Sequence, residues 1–160
     1  MAPRSVFYNS IGDVPMIKVS MLVLLGLIGS GTAWGECIGP SGGDGGGSFN
    51  DGGANATSIA VHAGAYIDGV EFGSNPFHGG GGGSDNSFQL EPGEVVIGVQ
   101  GRYGAYVDSL QIITNKRTSP KYGGNGGVQN FLLKVPAGER VVGFCGRSGA
   151  YIDAIGIETR

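Results

Sequence analysis

The sequence predicts an all-β domain built from three similar units, and three observations lead to this expectation. Gly accounts for 34 of the 160 residues, roughly three times its usual frequency, while only 14% of the residues are charged. Short runs with alternating apolar residues recur between Gly, Pro and Asn, and no sustained helical period is found, which is typical of strands and turns. A five-residue motif also occurs three times, which indicates internal repetition.

The first 35 residues are expected to be a secretory signal peptide. Lys18 precedes an apolar run over residues 21–28, and small residues then lead to Gly35. A positive flank, a short apolar stretch and small residues before the cleavage point are typical of such leaders, and this run is too short to span a membrane. Cleavage before Glu36 would leave residues 36–160 as one secreted, extracellular domain. A buried N-terminal helix is the alternative.

Two cysteines, Cys37 and Cys145, remain after that cleavage, near opposite ends of the domain. In an oxidising compartment an even number of cysteines favours a disulfide bond, and two buried free thiols are the alternative. A bond closing so long a loop would stabilise the fold by about 3–5 kcal/mol. The tripeptide Asn55-Ala56-Thr57 is an N-glycosylation sequon, which matters only for a secreted chain.

The repeated motif is Gly-Ala-Tyr-Ile/Val-Asp, at residues 64–68, 104–108 and 149–153. Each copy lies between two runs of β-forming residues. Repeats 2 and 3 enter the first run through a Pro-Gly-Glu or Pro-Ala-Gly-Glu turn, at residues 92–94 and 136–139. Repeat 1 lacks this turn and is two residues shorter before its motif.

A glycine cluster accompanies each motif, at residues 42–46, 79–83 and 123–127. Flexible linkers are the alternative interpretation, but linkers would have no reason to recur in phase with the motif. The runs predict about four short strands per unit. One such unit cannot bury an apolar face alone, so we expect three antiparallel sheets packed around one core.

The composition speaks against several functions. A net charge of −3 argues against binding to a phosphate backbone. His62 and His78 are in no nucleophile motif, the cysteines lack zinc-site spacing, and the glycine clusters lack the Lys-Ser/Thr of a phosphate loop. We therefore expect no catalytic residues, no metal and no cofactor.

The motif does suit the binding of a neutral polyol such as a sugar. A carboxylate accepts hydrogen bonds strongly from two hydroxyl groups, while nearby backbone N–H groups donate to them. Glycine permits a tight turn, and the tyrosine ring can cover an apolar sugar face. The alternative for each aspartate is that it caps its own turn, which is the commoner role of a single Asp. Three copies, each with a glycine cluster, favour binding.

The motif, the glycine clusters and residues 146–156 resemble those of the jacalin-related lectins. Residues 90–101 are similar to the corresponding stretch of the secreted animal members of the zymogen-granule type. The resemblance covers about residues 37–160. It implies a β-prism I of three four-stranded antiparallel Greek-key sheets with pseudo-threefold symmetry. It also implies metal-independent recognition of mannose-type sugars.

The resemblance further implies three sites, numbered here by repeat. Asp68, Asp108 and Asp153 would accept hydrogen bonds from two sugar hydroxyls, those on C4 and C6. The donors would be the backbone N–H groups of three residue pairs: Ala65 and Tyr66, Ala105 and Tyr106, and Ala150 and Tyr151. Gly83, Gly127 and Gly46 would pack beside Asp68, Asp108 and Asp153 respectively. The first cluster is one glycine longer, so Gly47 is an alternative to Gly46, and the family pattern does not include the cysteine pair.

A secreted lectin for mannose-type glycans and glycoproteins, on microbial or cell surfaces, is therefore the predicted function. The alternatives are a carbohydrate-active enzyme or inhibitor and a structural matrix protein, because one fold serves many functions. We expect no nucleic-acid partner, and a homodimer is compatible with this interpretation.

Overall fold

A computed structural model describes residues 35–160, so the predicted leader, apart from its last residue Gly35, lies outside the described residues. Within residues 35–160 the chain forms twelve strands, and no helix there could cross a membrane. The strands are β1 Cys37–Gly42, β2 Gly47–Asn50, β3 Ser58–Ala63, β4 Ile67–Phe72, β5 His78–Gly79, β6 Ser84–Gln89, β7 Val96–Tyr103, β8 Val107–Thr114, β9 Tyr122–Gly123, β10 Gln129–Lys134, β11 Val141–Ser148 and β12 Ile152–Thr159.

The strands form three four-stranded antiparallel sheets, which confirms the all-β prediction. The strand orders are β5-β4-β3-β6 in the first sheet, β10-β7-β8-β9 in the second and β1-β12-β11-β2 in the third. Each sheet has a central hairpin flanked by two outer strands. In the third sheet the hairpin comes from the end of the chain and the outer strands from its beginning, so the two ends of the domain are paired.

The core lies where the inner faces of the three sheets meet. Strand β3 alternates between buried and half-buried residues, so Ile59 and Val61 are fully buried. Phe72 of the first sheet and Phe144 of the third meet edge to face, with 5.3 Å between ring centroids. The single core contains apolar residues from every sheet and therefore holds the three hairpins in fixed relative positions.

The disulfide bond between Cys37 and Cys145 is present and joins β1 to β11 in the third sheet. It lies over Gly156, where a Cβ atom would come within 3.0 Å of both sulfur atoms. The bare glycine backbone therefore leaves the space that the bond occupies. This confirms the disulfide and excludes the alternative of two free thiols.

The turn that enters β7 is held by an ion pair between the buried Glu94 and the exposed Arg117. Glu94 Oε1 accepts hydrogen bonds from Arg117 Nε at 2.9 Å and Thr114 Oγ1 at 2.7 Å, and its Oε2 accepts one from the Glu91 N–H at 2.8 Å. The hydrogen bond from Arg117, above all, lowers the pKa of Glu94 to about 2, against an ordinary 4.5. The carboxylate therefore stabilises the fold in its charged form.

This ion pair predicts a contribution to stability that is lost in acid. Because the pKa of Glu94 is lower in the folded state, the contribution is complete above pH 4.5 and disappears as the pH falls towards 2. Replacing Glu94 by Gln should lower the free energy of unfolding by about 2 kcal/mol at pH 7 and by much less at pH 2. Urea unfolding at several pH values measures both. Glu139→Gln, at the matching place before β11, is the control; an equal loss at pH 2 and 7 would contradict the prediction.

Candidate sugar-binding sites

The three copies of the motif form the turns of the three central hairpins. In each turn the N–H group of the glycine donates to the carbonyl oxygen of the tyrosine two residues later, at 2.9 Å. The three donors are Gly64, Gly104 and Gly149. The last residue pair of each hairpin has the same position relative to the motif in all three repeats. In each hairpin the pairing register is also irregular just before the turn. The shorter first repeat therefore has the same turn as the others; its β3 and β4 are shorter at the far end of the hairpin.

A nearly buried aspartate follows each turn as the second residue of the next strand. Asp68, Asp108 and Asp153 keep only 7%, 5% and 5% of their exposed surface. The N–H groups of the alanine and tyrosine before each aspartate lie in the turn, whose cross-strand bond uses only the glycine N–H and the tyrosine carbonyl. The turn bond therefore does not use the N–H groups of the alanine and tyrosine, which lie three and two residues before the carboxylate in the chain.

Each carboxylate is packed against two successive residues of one glycine cluster. At Gly82, Gly126 and Gly45 a Cβ atom would lie under 3.0 Å from Oδ1 of Asp68, Asp108 and Asp153 respectively. At Gly83, Gly127 and Gly46 it would lie under 3.0 Å from Oδ2 of the same three aspartates. Any other residue would displace the carboxylate, so both glycines of each pair are needed for this geometry.

In the first glycine cluster, Gly46 holds the position that Gly83 and Gly127 hold in the others. All three have φ between +63° and +71°, a region that favours glycine. At Gly47, the alternative suggested by the longer cluster, a Cβ atom would have no neighbour nearer than the Ser148 carbonyl oxygen, at 4.0 Å. The additional glycine therefore follows the site and does not form part of it.

Two of the glycine clusters are held by an arginine, a feature that the sequence patterns did not predict. Arg102 Nε donates to the Gly126 carbonyl oxygen at 2.9 Å and its Nη2 to that of Gly127 at 2.5 Å. Arg147 makes the same pair of bonds to Gly45 and Gly46, at 2.8 and 2.7 Å. We call this pair of bonds the arginine bracket. The signal was present in the sequence, because both arginines lie two residues before the glycine of their motif.

Site 1 has no arginine bracket, since His62 takes the matching position. Its Nε2 lies 3.5 Å from Asp85 Oδ1, and its ring meets that of Phe77 with 4.9 Å between centroids. Phe77 also covers Gly69, the residue after Asp68. Site 1 thus has an aromatic flank where site 2 has Lys121, whose Nζ bonds to Asn125 of the glycine cluster.

The three turns meet through their tyrosines. The ring centroids of Tyr66, Tyr106 and Tyr151 are 5.2–5.4 Å apart in all three pairs. The rings therefore pack on one another between the sites, which adds a structural role to the expected contact with sugar. Tyr66 still keeps 36% of its surface exposed.

The glycine clusters also connect neighbouring sites. At Gly124, Gly80 and Gly43 a Cβ atom would lie under 3.0 Å from the carbonyl oxygens of Ala65, Ala150 and Ala105 respectively. The cluster of site 2 thus packs on the turn of site 1, that of site 1 on the turn of site 3, and that of site 3 on the turn of site 2. This closed ring of contacts places the three sites together at one end of the domain formed by residues 35–160.

Comparison with known protein families identifies the domain. Residues 38–158 match the model of the Jacalin-like lectin domain. The chain belongs to this family. The jacalin-like lectin domain thus accounts for all twelve strands except the ends of the first and last, and its members are in general not enzymes.

Solved structures of lectins have the same architecture. Malaysian banana lectin is 31% identical with a TM-score of 0.71, and the match covers 79% of this chain and 98% of that one. A mannose-binding lectin from champedak is 28% identical, with a TM-score of 0.71 and coverage of 80% and 98%. A mannose-binding jacalin-related lectin from Ananas comosus is 30% identical, with a TM-score of 0.66 and coverage of 79% and 98%.

A shorter match involves a different kind of protein. Over 71 residues this jacalin-like lectin is 42% identical to a Schizosaccharomyces pombe protein whose name describes it as a zinc metalloproteinase. The match covers 42% of this chain and 11% of the yeast protein. Residues 35–160 contain no group of three His, Cys, Asp or Glu side chains that could hold a metal ion. The similarity therefore concerns a small part of that protein and gives no reason to assign its activity here.

Proposed function

We propose that this jacalin-like lectin is a secreted protein that binds mannose-type glycans at three sites without a metal ion. The observation that carries the proposal is the threefold repetition of one arrangement: a nearly buried carboxylate, turn N–H groups and a bare glycine backbone. A capping role alone would not require that two glycines face every carboxylate.

The chemistry of each site fits a hexose. Asp68, Asp108 and Asp153 are each placed to accept hydrogen bonds from two hydroxyl groups, and charged acceptors make the stronger bonds. The N–H groups of the alanine and tyrosine in each turn donate to the same hydroxyls. The glycine clusters let a sugar ring approach the backbone without a side chain between them. A glycosidase would need two carboxylates flanking one bond, whereas each of these sites has one.

The lectin neighbours support mannose as the sugar. Two of the similar structures are of lectins described as mannose-binding, and artocarpin, 29% identical, has been solved in complex with mannotriose. The disulfide bond supports secretion, because such bonds persist in oxidising compartments. The partners would be mannose-type glycans on glycoproteins of cell or microbial surfaces.

The proposal predicts that retention on immobilised mannose survives excess chelator and is abolished by the variant Asp68→Ala/Asp108→Ala/Asp153→Ala. The carboxylates are the proposed acceptors, so their loss removes the bonds to the sugar hydroxyls at all three sites. Circular dichroism and the unfolding midpoint establish that the variant is folded. Retention of mannose by a folded triple variant, or loss of binding with chelator, would disprove the proposed sites or the independence from metal.

The arginine bracket predicts that the three sites differ in affinity. In a chain that retains only site 2, Arg102→Ala should weaken mannose binding about tenfold, because the glycine cluster loses both bonds that hold its shape. Arg102→Lys should weaken it similarly, since an ammonium group cannot reproduce the planar pair of donors. In a chain that retains only site 1, His62→Arg should strengthen binding. Titration calorimetry with methyl mannoside measures all three, and unchanged affinity in Arg102→Ala would argue against the bracket.

A further inference from the structure

The sequon Asn55-Ala56-Thr57 lies in an exposed loop between β2 and β3. Residues 51–57 contain no strand, and Asn55 and Thr57 are both exposed. Gly52 and Gly53 have φ of +71° and +92°, so the loop turns sharply before it reaches the sequon. An asparagine in the Asn-X-Thr pattern on an exposed loop of a secreted protein is an acceptor for an N-linked glycan.

The hydrogen bond that the Asn55 side chain makes in the folded chain is compatible with a glycan attached to its nitrogen. Arg140 Nη2 donates to Asn55 Oδ1 at 3.0 Å, a bond that uses the oxygen and not Nδ2. Beside the sequon is an open depression of about 330 Å³, whose lining includes Ala56, Thr57, Leu90 and Pro92. Glu91, Gly93 and Glu94 complete this lining, so the first sugars of an attached glycan can rest against apolar and polar groups alike.

We propose that Asn55 carries a mannose-rich N-linked glycan and that this glycan is a ligand for the three sites of a second copy of the chain. The donor is an oligosaccharide linked to a lipid pyrophosphate. A bond forms between Asn55 Nδ2 and C1 of the oligosaccharide, the bond between C1 and the phosphate oxygen breaks, and the lipid pyrophosphate and one amide proton leave. This proposal rests on the secretion and mannose recognition proposed above.

The fold separates the sequon from the sites of the same molecule. Asn55 precedes the start of β3, and its carbonyl oxygen lies 2.9 Å from the position of a Cβ at Gly73, just after the end of β4. The site 1 turn, residues 64–66, joins the other ends of these two strands. A strand of six residues spans about 20 Å, so the glycan is presented at the opposite end of the hairpin from the sites.

This separation favours association between copies over binding within one molecule. The glycan at one end of a copy meets the site-bearing end of the next, which is a heterologous, head-to-tail contact. Such contacts do not close on themselves unless a rotation makes a ring, so they extend into chains. Because the glycan is branched and the sites are three, two sites can bind one glycan and raise the avidity of the contact. Free mannose would compete with it and separate the copies.

The test uses the full chain secreted from eukaryotic cells. Mass spectrometry before and after an N-glycosidase should find a mannose-rich glycan on Asn55 of the wild type and of Thr57→Ser, which keeps the sequon. Asn55→Gln and Thr57→Ala should carry none. In sedimentation experiments the average mass of the two glycosylated proteins should rise about twofold or more with concentration and return to one copy with methyl mannoside. The two unglycosylated variants should remain single copies.

Each outcome of these experiments either supports or overturns the proposed self-association. An unmodified Asn55, or a glycosylated wild type that stays a single copy at every concentration, would overturn the proposal. Self-association that persists in Asn55→Gln, or that methyl mannoside does not reverse, would also overturn it. Retention of Asn55→Gln on immobilised mannose is measured in parallel, because that variant keeps all three sites. If it binds mannose while the wild type does not associate, the further inference fails and the proposed function stands.

Discussion

The variant Asp108→Ala is expected to lose about 10-fold to 100-fold in binding to a surface of branched high-mannose glycoprotein, although it removes only one of three sites. A site that binds a single sugar weakly gains from its neighbours, because a branched glycan held at one site is already close to the next. This effective concentration can raise avidity by about 10²–10⁴-fold. The closed ring of contacts among the turns and glycine clusters keeps the spacing of the sites constant, so the gain depends on having all three.

Two measurements on the same variant separate avidity from simple loss of a site. Titration with methyl mannoside should find the number of sites reduced by about a third, with little change in their affinity. Binding to the glycoprotein surface should fall much further. Glu71→Ala, which removes a carboxylate of β4 outside the sites, is the control and should behave as the wild type. Equal fractional losses in the two assays would mean that the sites act independently.

Removal of the disulfide bond should lower the free energy of unfolding by about 3–5 kcal/mol. The bond closes a loop with a sequence separation of 108 residues, and in the chain-entropy model the stabilisation increases with the length of the loop. It also ties β1 to the central hairpin of the third sheet, so its loss weakens the pairing of the two ends of the domain. The double variant Cys37→Ala/Cys145→Ala, compared with the wild type in urea unfolding, measures the effect.

The effect of the bond can be checked without mutation. Reduced wild-type protein should unfold at the same urea concentration as the double variant, since both lack the same link. Addition of reductant to the double variant should change nothing. A double variant as stable as the oxidised wild type would show that packing of the third sheet, and not the link, holds the ends together. Mannose binding at sites 1 and 2 should be little affected in the folded variant.

Much of the fold follows from local patterns in the sequence. Alternation of apolar residues, as in residues 58–63, predicts strands, and the three copies of the motif predict three equivalent hairpins. The pairing of β1 and β2 with β11 and β12 could not be inferred in this way, because those strands lie at opposite ends of the domain. The family resemblance implied the pairing of each aspartate with its glycine cluster, including Gly46 with Asp153, but the strand order of the third sheet was found only in the structure.

The missed features of the sites share a physical cause. The arginine bracket joins side chains to backbone carbonyl groups of a different loop, and the tyrosine rings meet only where three sheets converge. Sequence patterns report which face of a strand is buried and say little about which loops come together at its end. The contact of His62 with Phe77 depends on the same convergence, so the aromatic flank of site 1 became visible only in three dimensions, although the replacement of the arginine by His62 can be read from the sequence.

Site 3 differs from the others in when it can form. Arg102 and Gly127 of site 2 are 25 residues apart, whereas Arg147 and Gly46 of site 3 are separated by 101 residues. Contacts between distant segments form later, because the entropy of a long loop must be lost first. As the chain emerges during synthesis, the aspartate and glycine cluster of sites 1 and 2 are available before β11 and β12 exist. Site 3 is therefore the last of the three to be completed, because its carboxylate and its glycine cluster meet only when the two ends of the domain join.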